Sequence, residues 1–165
     1  MADQSTKTYD LIDAAPEAIV LHCSDPRFQR AFAGFIKNEL QLEEGKYIPL
    51  VVSGGVGSLS EPLKLPKEFR FMRERIRMFL DHFDSIKLIV LINHEDCRHY
   101  DWLRNFIGKL FVQRFANMAE RQRADLKKVA KVLLDLASSR IETKSYYAKF
   151  ADARKSKVVF EEVWA

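Results

Sequence analysis

Apolar positions along the chain alternate between two rhythms, one short and unbroken, one spaced three and four apart. Residues 18–22, AIVLH, form a short apolar run, and after the polar SDP the stretch RFQRAFAGFIKNEL carries Phe28, Phe32, Phe35, Ile36 and Leu40 at helical spacing. The pattern predicts strand, turn and helix. Past the turn-prone EEGK, YIPLVV at 47–52 reads as a second strand, with Pro49 near its start or at an unpaired position. The three glycines of SGGVGSLS exclude regular structure there. A second helix is predicted over KEFRFMRERIRMFLDHF, where Phe69, Met72, Ile76, Phe79, Leu80 and Phe83 share one face. It runs into KLIVLI, 87–92, whose unbroken Leu, Ile and Val character suits a strand buried on both faces of a parallel sheet.

Beyond that strand NHEDCRHYDW starts irregular, and the region to Lys149 is expected to be largely helical, most periodically from Arg114 to Leu136. KVVFEEVW at 157–164 reads as a last strand, and RIETKSYYAKF before it is a candidate for another. Alternating strands and helices predict an α/β fold, a mainly parallel central sheet flanked by helices and joined by right-handed crossovers. With no internal repeat, linker or low-complexity segment, residues 1–165 read as a single domain, long enough to bury a core without staples.

Composition narrows the function classes. Hydrophobic residues make up 47% and charged residues 30%, the balance of an ordered chain rather than a disordered one. The N-terminal MADQSTKTYD lacks an apolar h-region and no apolar run is long enough to span a bilayer, so neither export nor a membrane is expected and the cytoplasm is the default. A net charge of +4 can attract anions but is too small to argue nucleic-acid binding. The arginines at 70, 73, 75 and 77 are interrupted by Glu68 and Glu74, which makes that helix face a solvated one. In the cytoplasm two separated cysteines, Cys23 and Cys97, favour metal or redox chemistry over a disulfide.

In open parallel sheets ligands gather at the carboxyl ends of strands, where connections diverge to opposite faces. Cys23 follows the first predicted strand, and His94 and Cys97 follow the third. If those strands are neighbours at such a switch point, two thiolates and an imidazole converge, a set that suits Zn²⁺ and leaves a fourth position for water. Two thiolates cancel the ion's charge and acidify a bound water less than an all-histidine site does, so a nearby hydrogen-bond acceptor would help. Asp25 is the candidate. Arg27 can fork onto its carboxylate and hold it ionised, either accepting from that water or itself occupying the fourth position. Asp25 before Pro26 also reads as a helix N-cap, a role compatible with catalysis. His22 points away from Cys23 and reads as a core histidine, and His82 as a helix-end surface residue. His99 is either a proton shuttle beside the pocket or a surface loop histidine.

The same residues carry a resemblance to a known family. CSDPR at 23–27 resembles the C-x-D-x-R motif of β-class carbonic anhydrases, and HEDC at 94–97 resembles their H-x-x-C, in the same order and on the same α/β layout. The resemblance covers roughly residues 18–100. It implies Cys23, His94 and Cys97 as zinc ligands, Asp25 with Arg27 as a catalytic dyad, and reversible hydration of CO₂ to bicarbonate by zinc-bound hydroxide. It also implies a homodimer or higher homo-oligomer. Arg98 stands where the family has a glycine after the second cysteine, and VSGGVGSLS replaces the family's R-N-A-G-N stretch. These departures frame the alternative, a catalytically silent zinc-binding or interaction domain on the same scaffold.

Overall fold

The computed structural model describes residues 7–63, 65–107, 117–136 and 141–164. Five strands form one sheet: β1 (Ala18–Cys23), β2 (Tyr47–Val52), β3 (Leu88–His94), β4 (Glu142–Phe150) and β5 (Val158–Glu162), in the spatial order β2-β1-β3-β4-β5. The first four run parallel and β5 pairs antiparallel with β4. The helices are α1 (Gln29–Asn38), α2 (Gly57–Ser60), α3 (Pro66–His82), α4 (Arg98–Ile107) and α5 (Met118–Leu136).

The unbroken apolar strands bury both faces because successive side chains point opposite ways. Ile19, Leu21, Ile89 and Leu91 meet Met72 and Ile76 of α3 and Leu126, Val129 and Leu133 of α5. Ala18, Val20, Val90 and Ile92 meet Phe28 and the α1 residues Phe32 and Ile36 on the other face. Each fully buried aliphatic or phenyl side chain of this kind contributes roughly 1.5–3 kcal/mol relative to exposure.

The chain leaves β1 through α1 to reach β2 on one side, then crosses back through α3 to β3 and onward through α5 to β4 on the other. Right-handed crossovers in opposite directions put α1 on one face and α3 and α5 on the other. The direction reverses between β1 and β3, so their carboxyl ends form the switch point. Pro49 lies in β2, an edge strand that among the described residues pairs with β1 alone, where a missing N–H is tolerated.

Four expectations need correction. Gly57–Ser60 at the end of the glycine stretch forms one buried helical turn rather than continuing irregular. β3 extends past its apolar run to His94, since Asn93 and His94 keep their ladder partners Tyr147 and Ala148. Residues 142–150 are strand, so the largely helical reading to Lys149 fails there while the strand candidate in RIETKSYYAKF holds. α1 starts at Gln29 with Phe28 at its N-cap, so Asp25 is not the cap. The expected helical start at Arg114 lies outside the described residues. Among the described residues no helix is long and apolar enough to cross a membrane.

Candidate metal centre

Cys23 closes β1 and His94 closes β3, on adjacent strands. A tight turn through Asp96, whose φ of 57° lies in the left-handed region, brings Cys97 back over the strand ends just before α4. The donor atoms of Cys23, His94 and Cys97 all lie within 4.8 Å of one another, and all three residues are buried. The two sulfurs are 3.8 Å apart. Two thiolates on one tetrahedral Zn²⁺ at about 2.3 Å would stand about 3.8 Å apart.

The imidazole is prepared in the same sense. His94 Nδ1 bonds the Glu95 carbonyl at 2.8 Å, and since a carbonyl only accepts, Nδ1 carries the proton. Nε2 is therefore a bare lone pair, buried and without a hydrogen-bond partner. A buried orphan acceptor facing two sulfurs fits a metal ligand tethered through its other nitrogen. The Phe28 ring packs on the imidazole at 4.1 Å between centroids and holds its plane.

The two thiols are coupled through their contact. The hydrogen bond from Cys97 lowers the pKa of Cys23 and the same bond raises that of Cys97. Two further donors favour the Cys23 thiolate: the Gly54 N–H, 3.3 Å from Sγ, and the Asp25 N–H. Gly54 has φ +78°, and a Cβ there would lie 2.0 Å from His99 Cδ2, so only glycine brings this backbone under the His99 ring and against the sulfur.

Asp25 and Arg27 meet as the CSDPR spacing suggested. Asp25 Oδ1 accepts from the Arg27 backbone N–H at 3.0 Å and from Nε at 3.1 Å, and Oδ2 accepts from Nη2 at 2.7 Å. The first of these is an Asx turn, made within the turn at 26–28 that precedes α1. The Arg27 side chain holds the Asp25 carboxyl below its ordinary pKa. Arg27 reaches across the site as well, with Nη1 on Asp96 Oδ2 at 3.0 Å and Nη2 on the Asp96 carbonyl at 2.8 Å. Both cysteines, Asp25, Arg27, Ser53 and His99 line one cavity of about 300 Å³. Arg98 lines it too, so the residue replacing the expected glycine faces the site.

His99 Nδ1 lies 3.3 Å from Ser53 Oγ, and its ring packs beside Trp102, so it is a packed residue at the cavity wall rather than a loose surface histidine. His22 is buried on the opposite face against Phe32, as alternation predicts. His82 is exposed at the last residue of α3.

Sequence reasoning missed a buried polar layer behind the centre. Gln122 donates to the His94 carbonyl at 2.9 Å and accepts from Tyr147 OH at 3.0 Å. Asn93 Nδ2 donates to Tyr100 OH at 3.0 Å, and Asp125 is held by Arg121. One signal was available: Gln122 falls on the stripe continued by Leu126, Val129 and Leu133, where an apolar residue is expected.

No protein-family model and no curated protein matches the chain. Solved structures do match it. A carbonic anhydrase from Streptococcus mutans aligns at TM-score 0.59 and 12% identity, covering 98% of this chain and 90% of that one. A tetrameric β-carbonic anhydrase of the ascomycete Sordaria macrospora aligns at TM-score 0.52 and 14% identity, covering 93% and 83%. The Coccomyxa β-carbonic anhydrase solved with acetazolamide aligns at TM-score 0.54 and 14% identity, covering 91% and 72%. The chain has the β-carbonic anhydrase fold, as the CSDPR and HEDC motifs implied.

Proposed function

We propose that the chain, a single domain over 1–165, is a zinc lyase of carbonic anhydrase type that interconverts CO₂ and bicarbonate. The observation that carries this reading is the cluster of Cys23, His94 and Cys97, whose two cysteines line one cavity together with the Asp25–Arg27 pair, at the switch point of a fold shared with carbonic anhydrases. Cys23, His94 and Cys97 would hold the ion. Zinc, when bound, supplies Lewis-acid activation of water near neutral pH. Asp25, kept ionised by Arg27, accepts a hydrogen bond from the attacking water and aims its lone pair at the carbon of CO₂. The water oxygen bonds to that carbon as one C=O π pair moves onto its oxygen, and an O–H bond of the water breaks with the proton leaving to solvent, which gives bicarbonate. Arg27 is the holder, since its guanidinium spans both Asp25 and Asp96.

Two free thiols 3.8 Å apart suit a reducing compartment, which supports a cytoplasmic setting. The tetrameric Sordaria proteins support a homodimer or higher homo-oligomer. Neither a nucleic-acid nor a membrane partner is proposed.

A second reading, a zinc-binding domain without turnover, is favoured by Arg98 and His99 at the cavity wall. Stopped-flow CO₂ hydration by zinc-loaded protein separates the two. The expected result is a rate well above buffer that is lost in Cys23→Ser and strongly reduced in Asp25→Asn. Stoichiometric zinc with no rate above buffer overturns the enzyme and leaves the silent domain.

A further inference from the structure

The buried polar layer behind the centre takes no part in the chemistry above, yet it holds the His94 backbone and the glycine loop that meets Cys23. We infer that Gln122 is a positioning residue for the metal centre, fixing from α5 the backbone of His94 and, through Asn93, the glycine loop that meets Cys23. The inference rests on Cys23, His94 and Cys97 being a metal centre and not on the CO₂ reaction.

Gln122 is only 1% exposed, on a helix face whose next positions are Leu126, Val129 and Leu133. Burying an amide there costs free energy unless its groups are paired. They are paired, and each pairing faces the site. Nε2 donates to the His94 carbonyl, Oε1 accepts from Tyr147 OH on β4, and the Gln122 carbonyl accepts from Asn93 Nδ2 at 3.3 Å.

The His94 carbonyl belongs to the peptide that joins His94 to Glu95, and the Glu95 carbonyl is what tethers His94 Nδ1. Fixing that peptide from α5 therefore fixes the imidazole at both ends, its main chain through Gln122 and its ring through Glu95. Asn93 carries the hold further. Its Oδ1 accepts from the Val56 N–H at 3.4 Å, and two residues upstream Gly54 donates to Cys23 Sγ. Tyr147 keeps the Gln122 amide from turning, because its hydroxyl occupies Oε1 and leaves Nε2 directed at His94.

The test is cobalt(II) and zinc(II) affinity of the full chain, measured by chelator competition, with the cobalt thiolate absorption bands as a second readout. Gln122→Met keeps length and helix propensity but removes both side-chain bonds. It is expected to bind either ion about 10–100-fold more weakly, the usual range for losing an outer-shell partner, and to shift the cobalt bands. Gln122→Glu, which keeps the acceptor for Tyr147 and loses the donor to His94, serves if the Met variant does not fold and is expected to weaken binding likewise. Leu126→Ala, one turn along α5, is expected to lower thermal stability while leaving affinity and bands unchanged. Wild-type affinity and bands in either folded Gln122 variant overturn the inference, as does an equal weakening in Leu126→Ala. A wild-type chain that binds neither ion overturns the metal centre itself, whereas tight binding without CO₂ hydration leaves the role of Gln122 standing.

Discussion

The ends of β1 and β3 lie side by side and deliver donor atoms to one cluster, yet they are held by different means. At the end of β1 the fixing groups are near in sequence and partly open to solvent: Asp25 folds onto Arg27 two residues away, and the Arg27 side chain is 43% exposed. At the end of β3 they are sealed and reach far along the chain, with Asn93 and Tyr100 joined by Gln122 and Tyr147 from distant elements and all four buried. Exposed ion pairs hold geometry with little net stability, whereas buried polar networks are costly to disturb. The β1 rim is thus the adjustable side of the site and the β3 rim its fixed side.

Both rims should matter equally for holding an ion, since each supplies a thiolate. Cys23→Ser and Cys97→Ser are each expected to abolish stoichiometric zinc by elemental analysis, an effect beyond the roughly 100-fold ceiling of outer-shell changes. Full zinc retained in one of them would assign the ion to a different set of ligands and break the symmetry between the rims.

The glycine loop between the rims offers the next largest effect. Gly54→Ala must adopt φ +78° with a side chain and push against His99. Left-handed strain of roughly 1–3 kcal/mol and overpacking of roughly 1–3 kcal/mol together predict a loss of about 2–6 kcal/mol in denaturant unfolding. Gly54→Ala combined with His99→Ala should recover the overpacking part only. Full recovery would mean that the backbone angle there carries no strain.

The two rims also differ in how far the sequence disclosed them. CSDPR could be read because its partners are neighbours: a carboxylate, a fixed proline and a guanidinium within five residues leave few arrangements. HEDC could be read as a ligand pair for the same reason, and the mainly parallel sheet flanked by helices followed from apolar runs that alternate with helical stripes, whereas the adjacency of β1 and β3 came from the structure. What held HEDC in place could not. Gln122 lies 28 residues from His94, and no local pattern tells which strand end a helix residue will meet. The N-cap reading of Asp25 failed because the helix starts later than the motif suggests: Asp25 accepts from the Arg27 N–H within a turn at 26–28, and α1 follows only from Gln29 with Phe28 at its cap. The short helix Gly57–Ser60 was hidden by glycines that serve the approach to Cys23 and Asn93 rather than a break in structure.

The fixed rim can be probed at Asn93. Asn93→Ala leaves the Val56 N–H and the Tyr100 hydroxyl short of a buried partner. The expected cost is roughly 1–3 kcal/mol in unfolding free energy, with weaker metal binding. A neutral result would mean that the layer behind β3 tolerates water, and the contrast between sealed and open rims would fall.

The smallest effect is expected at Arg27, where its pH dependence is more telling than its size. Arg27→Ala should lower stability by about 0–1 kcal/mol at pH 7, as for other solvent-accessible ion pairs. Both carboxylates on this guanidinium have folded pKa values below their ordinary ones, with the hydrogen bond from Arg27 as the main cause. A carboxylate lowered on folding stabilises the folded state above its unfolded pKa of about 3.9, and that contribution fades as pH falls through the lowered folded value. The difference between wild type and Arg27→Ala should therefore be flat from neutral pH to about pH 5, close on further acidification, and shrink in high salt. A difference that survives at pH 2 would place the contribution of Arg27 in its packing over the Phe28 ring, 5.8 Å from the guanidinium carbon, and make the β1 rim a packed structure like its neighbour.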